Sequence, residues 1–324
     1  MKLRVIAIVL ALGIGLASWG TTYLTARFKR MAEDLQWLEP RSFDGLAIVT
    51  IGTGTAYENP SRLGPATLIG TGNRAVLVDA GRGVAEALRQ ARVPVTQPDT
   101  VFLTRLSPET TVGLDDLLLT GWLVPREGPL RLVGPPGTKA LAEGLRAAHS
   151  AGVAGRSASL GLPAEDARFD AIEIGDGWEA SSGALAVRAA ALPGGPTAAL
   201  AYRFEAAGRA VVVGTAGWGQ DRLVELATGA DALVHDAFWG GSLEQAIEAG
   251  ADDPERLRRE VAWLTPLESV GTVATRAGVE TLVLTRLRPP PLYDFMFGRI
   301  VSESFDGRLV VADDGEEIVF PPRD

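Results

Sequence analysis

The sequence predicts an α/β (α+β) fold: a four-layer αββα sandwich, two sheets face to face between helices, preceded by one N-terminal transmembrane helix. Three observations lead there. Short β-like runs punctuated by glycine and proline recur from residue 46 onward. They fall into two β-rich halves with helical segments interleaved, the pattern of sheets whose outer faces are covered by helices. Ahead of both halves, Val5–Leu24 is almost wholly apolar and carries no charge.

As a helix that run is about 30 Å long, the thickness of a bilayer's hydrocarbon core. Trp19 and Tyr23 cluster at its end, where interfacial aromatics belong. Lys2 and Arg4 also suit a signal peptide, although Ser18-Trp-Gly20 matches a cleavage site poorly, so residues 1–24 are expected to be an anchor (or signal peptide). Arg27, Lys29 and Arg30 balance Lys2 and Arg4 across the span; the expected topology is single-pass with the soluble part periplasmic or extracytoplasmic. Residues 25–43 are charged and helix-prone and form a connector helix; residues 44–324 form one large domain. In its first half Leu46–Ile51, Ala66–Ile69, Ala75–Val78 and Val101–Thr104 are strands. Val84–Arg92, Gly113–Leu123 and Lys139–His149 are helices, and Ser150–Glu165 is a loop. The second half brings strands Ala184–Ala191, Ala199–Phe204, Ala210–Val213, Ala232–Val234 and Thr281–Thr285. Helices Asp221–Thr228, Ser242–Glu248 and Leu267–Ala277 fall among them, and a terminal hairpin pairs Arg308–Val311 with Glu317–Phe320.

Composition limits the chemistry. With 46% hydrophobic and 22% charged residues the chain can bury a sizeable core. The net charge of -9 argues against a nucleic-acid partner. Cysteine is absent, which excludes disulfides, thiolate catalysis and cysteine-bound zinc; histidine is limited to His149 and His235.

Several blocks carry a resemblance: Val49–Gly54, Pro60–Pro65, Leu77-Val-Asp-Ala-Gly81, Val101–Thr104, Val112–Leu123, Val133–Gly137, Ala199–Phe204, Leu226–Asp236 and Ala277–Leu287. In this order and spacing the sequence resembles the metallo-β-lactamase superfamily, in the branch holding ribonuclease Z, arylsulfatase-like and related hydrolases. The resemblance implies a sandwich of that type and a centre of one or two metal ions, usually zinc, that generate hydroxide. The family's ligand positions are occupied otherwise here. Arg105, Ser107 and Thr110 stand at three histidine positions and Glu109 at the aspartate of the first block. Gly194 stands at the next histidine, Thr215 at the bridging aspartate, Trp263 or Leu264 at a further histidine and Arg286 at the last. Only Glu109 keeps ligand character, and two permanently charged guanidiniums repel a dication. The expectation is a chain without metal or other cofactor, with Arg105 or Arg286 paired to Glu109, Asp79 or Asp236.

What remains reads as structure more than chemistry. Asp79 resembles the family's loop-ordering carboxylate. His235 beside Asp236 would make a general base, yet no nucleophile or third group accompanies the pair, which favours a hydrogen-bonded structural histidine. Glu109, His235 and Asp236 are thus the weak acid/base candidates. Gly52-Thr-Gly54 reads as a tight turn needing positive φ. Leu292, Tyr293, Phe295, Met296 and Phe297 form an apolar cluster, either a helix packed on the domain or a docking surface. Taken together, these readings predict a membrane-anchored, metal-free pseudoenzyme: a scaffold or accessory subunit whose partners are the bilayer and other membrane proteins, with no nucleic acid. The alternatives are a residual or metal-independent phosphodiester or ester hydrolase, or an anion-binding module in the vacated cleft.

Overall fold

The computed structural model describes residues 15, 18–31, 36–57, 59, 61–124, 126–215, 217–250, 252–290 and 294–323. It divides into two compact units, Met1–Glu39 and Pro40–Asp324. In the first, α1 (residues 18–31) exposes Trp19, Tyr23, Leu24, Phe28 and Met31, with the Trp19 and Tyr23 rings stacked 5.8 Å apart. The predicted span Val5–Leu24 lies largely outside the described residues. Among those that are described, no helix is long and apolar enough to cross a membrane.

The second unit contains two seven-stranded sheets. The first comprises β1 (Phe43–Gly52), β2 (Ala66–Gly72), β3 (Arg74–Val78), β4 (Pro98–Phe102), β5 (Leu130–Gly134), β6 (Phe169–Glu173) and β14 (Glu316–Phe320), in the order β14-β1-β2-β3-β4-β5-β6. The second comprises β7 (Glu179–Ser182), β8 (Leu185–Ala191), β9 (Leu200–Ala206), β10 (Arg209–Val213), β11 (Ala232–Phe238), β12 (Thr281–Arg288) and β13 (Arg308–Val311), in the order β13-β12-β11-β10-β9-β8-β7. Strand alternation sorts the core into three layers. Leu46, Ile48, Val76, Val78 and Phe102 of one sheet meet Tyr202, Phe204, Val211 and Val234 of the other between the sheets. The alternate residues Ala47, Val49, Leu77 and Val101 face α2 (Val84–Gln90) and α4 (Leu114–Leu123). On the far side Val212, Leu233, Leu282 and Leu284 face α6 (Gln220–Ala227), α9 (Leu267–Ala277) and α10 (Asp294–Val301). Each fully buried side chain of this size contributes about 1.5–3 kcal/mol, so the three layers dominate stability. The two-sheet α/β sandwich expected from the sequence is therefore present.

Local expectations fail in three places. The terminal hairpin does not form: β13 pairs in parallel with β12, whereas β14 pairs antiparallel with β1 of the other sheet. The predicted loop Ser150–Glu165 is mostly helix, because α5 runs Thr138–Leu160 and stops only where Gly161 takes a left-handed conformation and Pro163 follows. Gly52 and Gly54 are not at positive φ. They are glycines because a Cβ would lie 1.9 Å from the Gly64 carbonyl and 2.6 Å from that of Leu63.

Candidate functional site

Five parallel-sheet strands end at one place. Asp79 follows β3, Thr104 and Arg105 follow β4, Gly214 and Thr215 follow β10, and Asp236 and Arg286 lie near the ends of β11 and β12. Carboxyl ends of parallel strands are where α/β sheets gather ligand-binding groups. The two sheets are tied together here: Leu200 donates to the Thr104 carbonyl (2.8 Å), and Arg286 N donates to the Thr53 carbonyl (2.9 Å).

Arg286 is the hub. Its Nη1 donates to Asp79 Oδ2 (3.0 Å) and its Nη2 to the Gly214 carbonyl (3.1 Å), with Asp236 Oδ2 at 3.6 Å. Both Asp79 (φ 64°) and Arg286 (φ 50°) hold left-handed backbone, which costs a non-glycine residue about 1–2 kcal/mol. Such strain persists where surrounding bonds over-determine it. Thr104 supplies more of those bonds, donating its N–H (2.8 Å) and hydroxyl (2.8 Å) to Asp79. Burial pushes the Asp79 carboxyl up despite Arg286 and Thr104. Burial also raises Asp236, but Arg286, the His235 bond and Arg105 outweigh it and hold that carboxyl well below the usual range. One guanidinium thus faces two carboxyls, and only Asp236 is strongly held as the anion.

Arg105 is 3% exposed; its Nη2 donates to Glu109 (2.8 Å), its Nε to Ser107 Oγ (3.2 Å), and its Nη1 has no partner. Ser107 and Thr110 are spent on the first turn of α3 (Pro108–Thr111): their hydroxyls sit 3.1 Å apart, and that of Thr110 donates to the Arg105 carbonyl (2.8 Å). Thr215 reaches Asp236 (3.3 Å). Trp263 and Leu264 both reach the cleft, which has a volume of about 310 Å³ and is also lined by Arg105, Ser107, Glu109 and Arg286. Gly194 instead sits exposed in the β8–β9 loop at φ 104°, outside the cleft lining.

His235 is fully buried. Alternation along β11 sends it with Leu233 and Ala237 toward the helices, while Asp236 turns to the cleft side; Nδ1 bonds Asp236 (3.1 Å). His149 bonds Asp115 (3.0 Å) and does not line the cleft. Of the apolar cluster, Phe297 is buried and Met296 packs beside it under the second sheet, Phe295 is 72% exposed, and Leu292 and Tyr293 lie outside the described residues. Sequence reasoning missed three cleft residues, Tyr57, Glu260 and Arg288. A signal was open for the last alone: the Arg286-x-Arg288 spacing puts two cations at one strand end.

The metal centre that the fold family implies does not fit these residues. Among the described residues no group of three or more His, Cys, Asp or Glu is arranged to hold a metal ion. A guanidinium lies between the two buried aspartates, so their charge is met by a fixed cation.

No protein-family model matches the chain. Ribonuclease Z of Mycobacterium bovis (strain BCG / Pasteur 1173P2) is 30% identical over 294 residues, covering 86% of this chain and 99% of that protein. Ribonuclease Z of Mycobacterium sp. (strain KMS) is 31% identical over 248 residues, covering 76% and 85%. Among solved structures, the metallo-beta-lactamase fold protein YhfI from Bacillus subtilis superposes with a TM-score of 0.65 at 18% identity, over 85% of this chain and all of that one. Human tRNase Z, short form, gives 0.62 at 18% identity over 85% and 99%.

These likenesses overturn the membrane-scaffold expectation, its membrane-subunit partners and its membrane localisation. Relatives matching along most of the chain carry the name ribonuclease Z. The exclusion of nucleic acid falls too. Net charge averages over the whole surface and does not report the arginines gathered at one cleft. The chain has a metallo-β-lactamase-type fold, and at 30% identity along most of its length it belongs to the ribonuclease Z family.

Proposed function

We propose that this chain binds RNA by holding a backbone phosphate in the arginine cleft, with guanidinium groups supplying the positive charge. The observation that supports this most directly is Arg105: buried, lining the cleft, and with one Nη1 donor unfilled. An unmet donor on a buried cation is costly, and a phosphate oxygen relieves that cost. Arg286 and Arg288 line the same cavity. The names of the relatives, ribonuclease Z and tRNase Z, make RNA, and tRNA within it, the phosphate source to test.

Glu109 favours a second reading, hydrolysis of that phosphodiester without metal. Its carboxylate lines the cleft beside Arg105, so it could accept a proton from an attacking water while Arg105 holds the phosphate. Binding of a tRNA precursor measured in chelator tests the first reading. Affinity should fall with salt and drop at least tenfold in Arg105→Leu, and equal affinity in that variant would refute it. Cleavage that persists in chelator and disappears in Glu109→Gln would establish the second.

A further inference from the structure

A larger, mostly apolar chamber of about 690 Å³ adjoins the arginine cleft. The two share Thr55, Tyr57, Glu260 and Arg288. At the junction the Arg288 guanidinium lies 4.4 Å from the centre of the Tyr57 ring and 3.4 Å from Glu260, whose carboxylate also takes the Tyr57 hydroxyl bond. Phe238, Trp239, Leu243 and Leu257 supply apolar wall. The Trp239 backbone donates to the Arg288 carbonyl (2.8 Å), so this residue's main chain is tied to the strand that carries the shared arginine. Gly241 leaves room for it, because a Cβ there would come within 2.8 Å of the indole nitrogen.

We propose that the chamber receives the base of the nucleotide whose phosphate rests in the arginine cleft, so that the two cavities together hold one nucleoside monophosphate unit. The inference rests on the phosphate reading of the cleft and adds the recognition of a planar ring. Both parts of the ligand are matched. A phosphate alone leaves the aromatic wall unused, and an aliphatic chain leaves the arginine at the shared mouth unused. The volume lies within the roughly 300–1,000 Å³ of small-molecule sites. Aromatic walls accept any base by its π-face. The unit can come from a free nucleotide or from an RNA strand.

The test is binding to the full chain, in chelator, of ribose 5-phosphate, adenosine 5′-monophosphate and an RNA oligomer. One stacked base is worth about 1–3 kcal/mol, so the nucleotide should bind about 5- to 150-fold more tightly than ribose 5-phosphate. Trp239→Leu should bring that ratio toward one. Equal affinity of the two phosphates for the unmodified chain would overturn the chamber and leave the cleft reading standing. No binding of any of the three would overturn both. Tight nucleotide binding without oligomer binding would uphold the nucleotide site and identify its source as a free nucleotide.

Discussion

Replacing Arg286 by methionine keeps most of the side chain's length and removes its charge. Asp79 (2% exposed) and Asp236 (fully buried) then lose the cation between them, while the strained backbone at residue 286 remains. Removing one partner from a buried ion pair costs about 3–5 kcal/mol, because the other charge is left uncompensated in a poorly polarisable interior. At about 2 °C per kcal/mol for a large domain, the melting temperature should fall by about 6–10 °C. The loss should depend on pH in a defined direction. Burial already raises the Asp79 carboxyl, and losing Arg286 raises it further. A carboxyl raised in the folded state binds its proton more tightly there than when unfolded, so folding is relatively favoured as pH falls. The penalty of Arg286→Met should therefore be largest near neutral pH and shrink toward pH 5. Asp79→Asn in the same chain should recover part of it, since a neutral amide needs no counter-charge. Urea unfolding followed by tryptophan fluorescence, at several pH values, measures this. A loss below about 1 kcal/mol at pH 7, or one that does not change with pH, would refute the claim that Arg286 neutralises a buried acidic pair.

The penalty of Asp236→Asn should also shrink in acid, here through a carboxyl that is lowered rather than raised. The Asp236 carboxyl is held below its usual value of 3.8, so its stabilisation is present above that pH and is lost as pH falls; the gap in melting temperature from the unmodified chain should narrow in acid. Chelation should leave the melting temperature unchanged, and elemental analysis should find no stoichiometric zinc, since the residues around Arg286 do not form a ligand set. A chelator-induced drop would contradict that. Phe297→Ala should cost about 3–5 kcal/mol as a large core truncation, whereas Phe295→Ala, at a site 72% exposed, should cost less than about 0.5 kcal/mol in urea titrations. Gly52→Ala should destabilise by at least about 1–3 kcal/mol through its clash with the Gly64 carbonyl, even though its φ suits alanine.

Much of the sandwich was legible because strands such as β1 and β3 are short, nearly continuous apolar runs bounded by turn residues, a local signal. The weaker elements escaped for identifiable reasons. The edge strand β7 (Glu-Ala-Ser-Ser) is exposed throughout and carries no hydrophobic pattern, and the second half of α5 is rich in Ala, Gly and Ser with few apolar anchors. The partner of a terminal strand is a long-range property: Glu316–Phe320 looks like half of a hairpin until β1 proves to be its neighbour. At the site, the substituted ligand positions could be located, and the expected pairing of their arginines with nearby carboxylates is present as Arg105–Glu109 and Arg286–Asp79. Nothing local tells that Asp79 and Arg286, more than two hundred residues apart, would both hold left-handed backbone to meet. The family resemblance and the scaffold reading also pulled apart. The net charge of -9 argues against nucleic acid, although a cleft can hold phosphate on guanidiniums gathered at one place.

The placement of β13 and β14 in opposite sheets affects how the molecule is made. Asp314, on the link between them, accepts the backbone N–H groups of Thr53 and Leu63, and Arg62 bonds the Ala312 carbonyl. The loop carrying Tyr57 is thus fastened at its base by residues synthesised some 250 positions later. A ribosome-bound chain can pair β2 with β3 early, but β1 remains an unpaired edge and the cleft wall lacks its fastening until residues 311–320 emerge. Closing a contact of such sequence separation is slow. During that interval the nascent chain exposes a long apolar strand edge, the feature most prone to aggregation. Binding competence should therefore appear late in synthesis, after most of the secondary structure has formed.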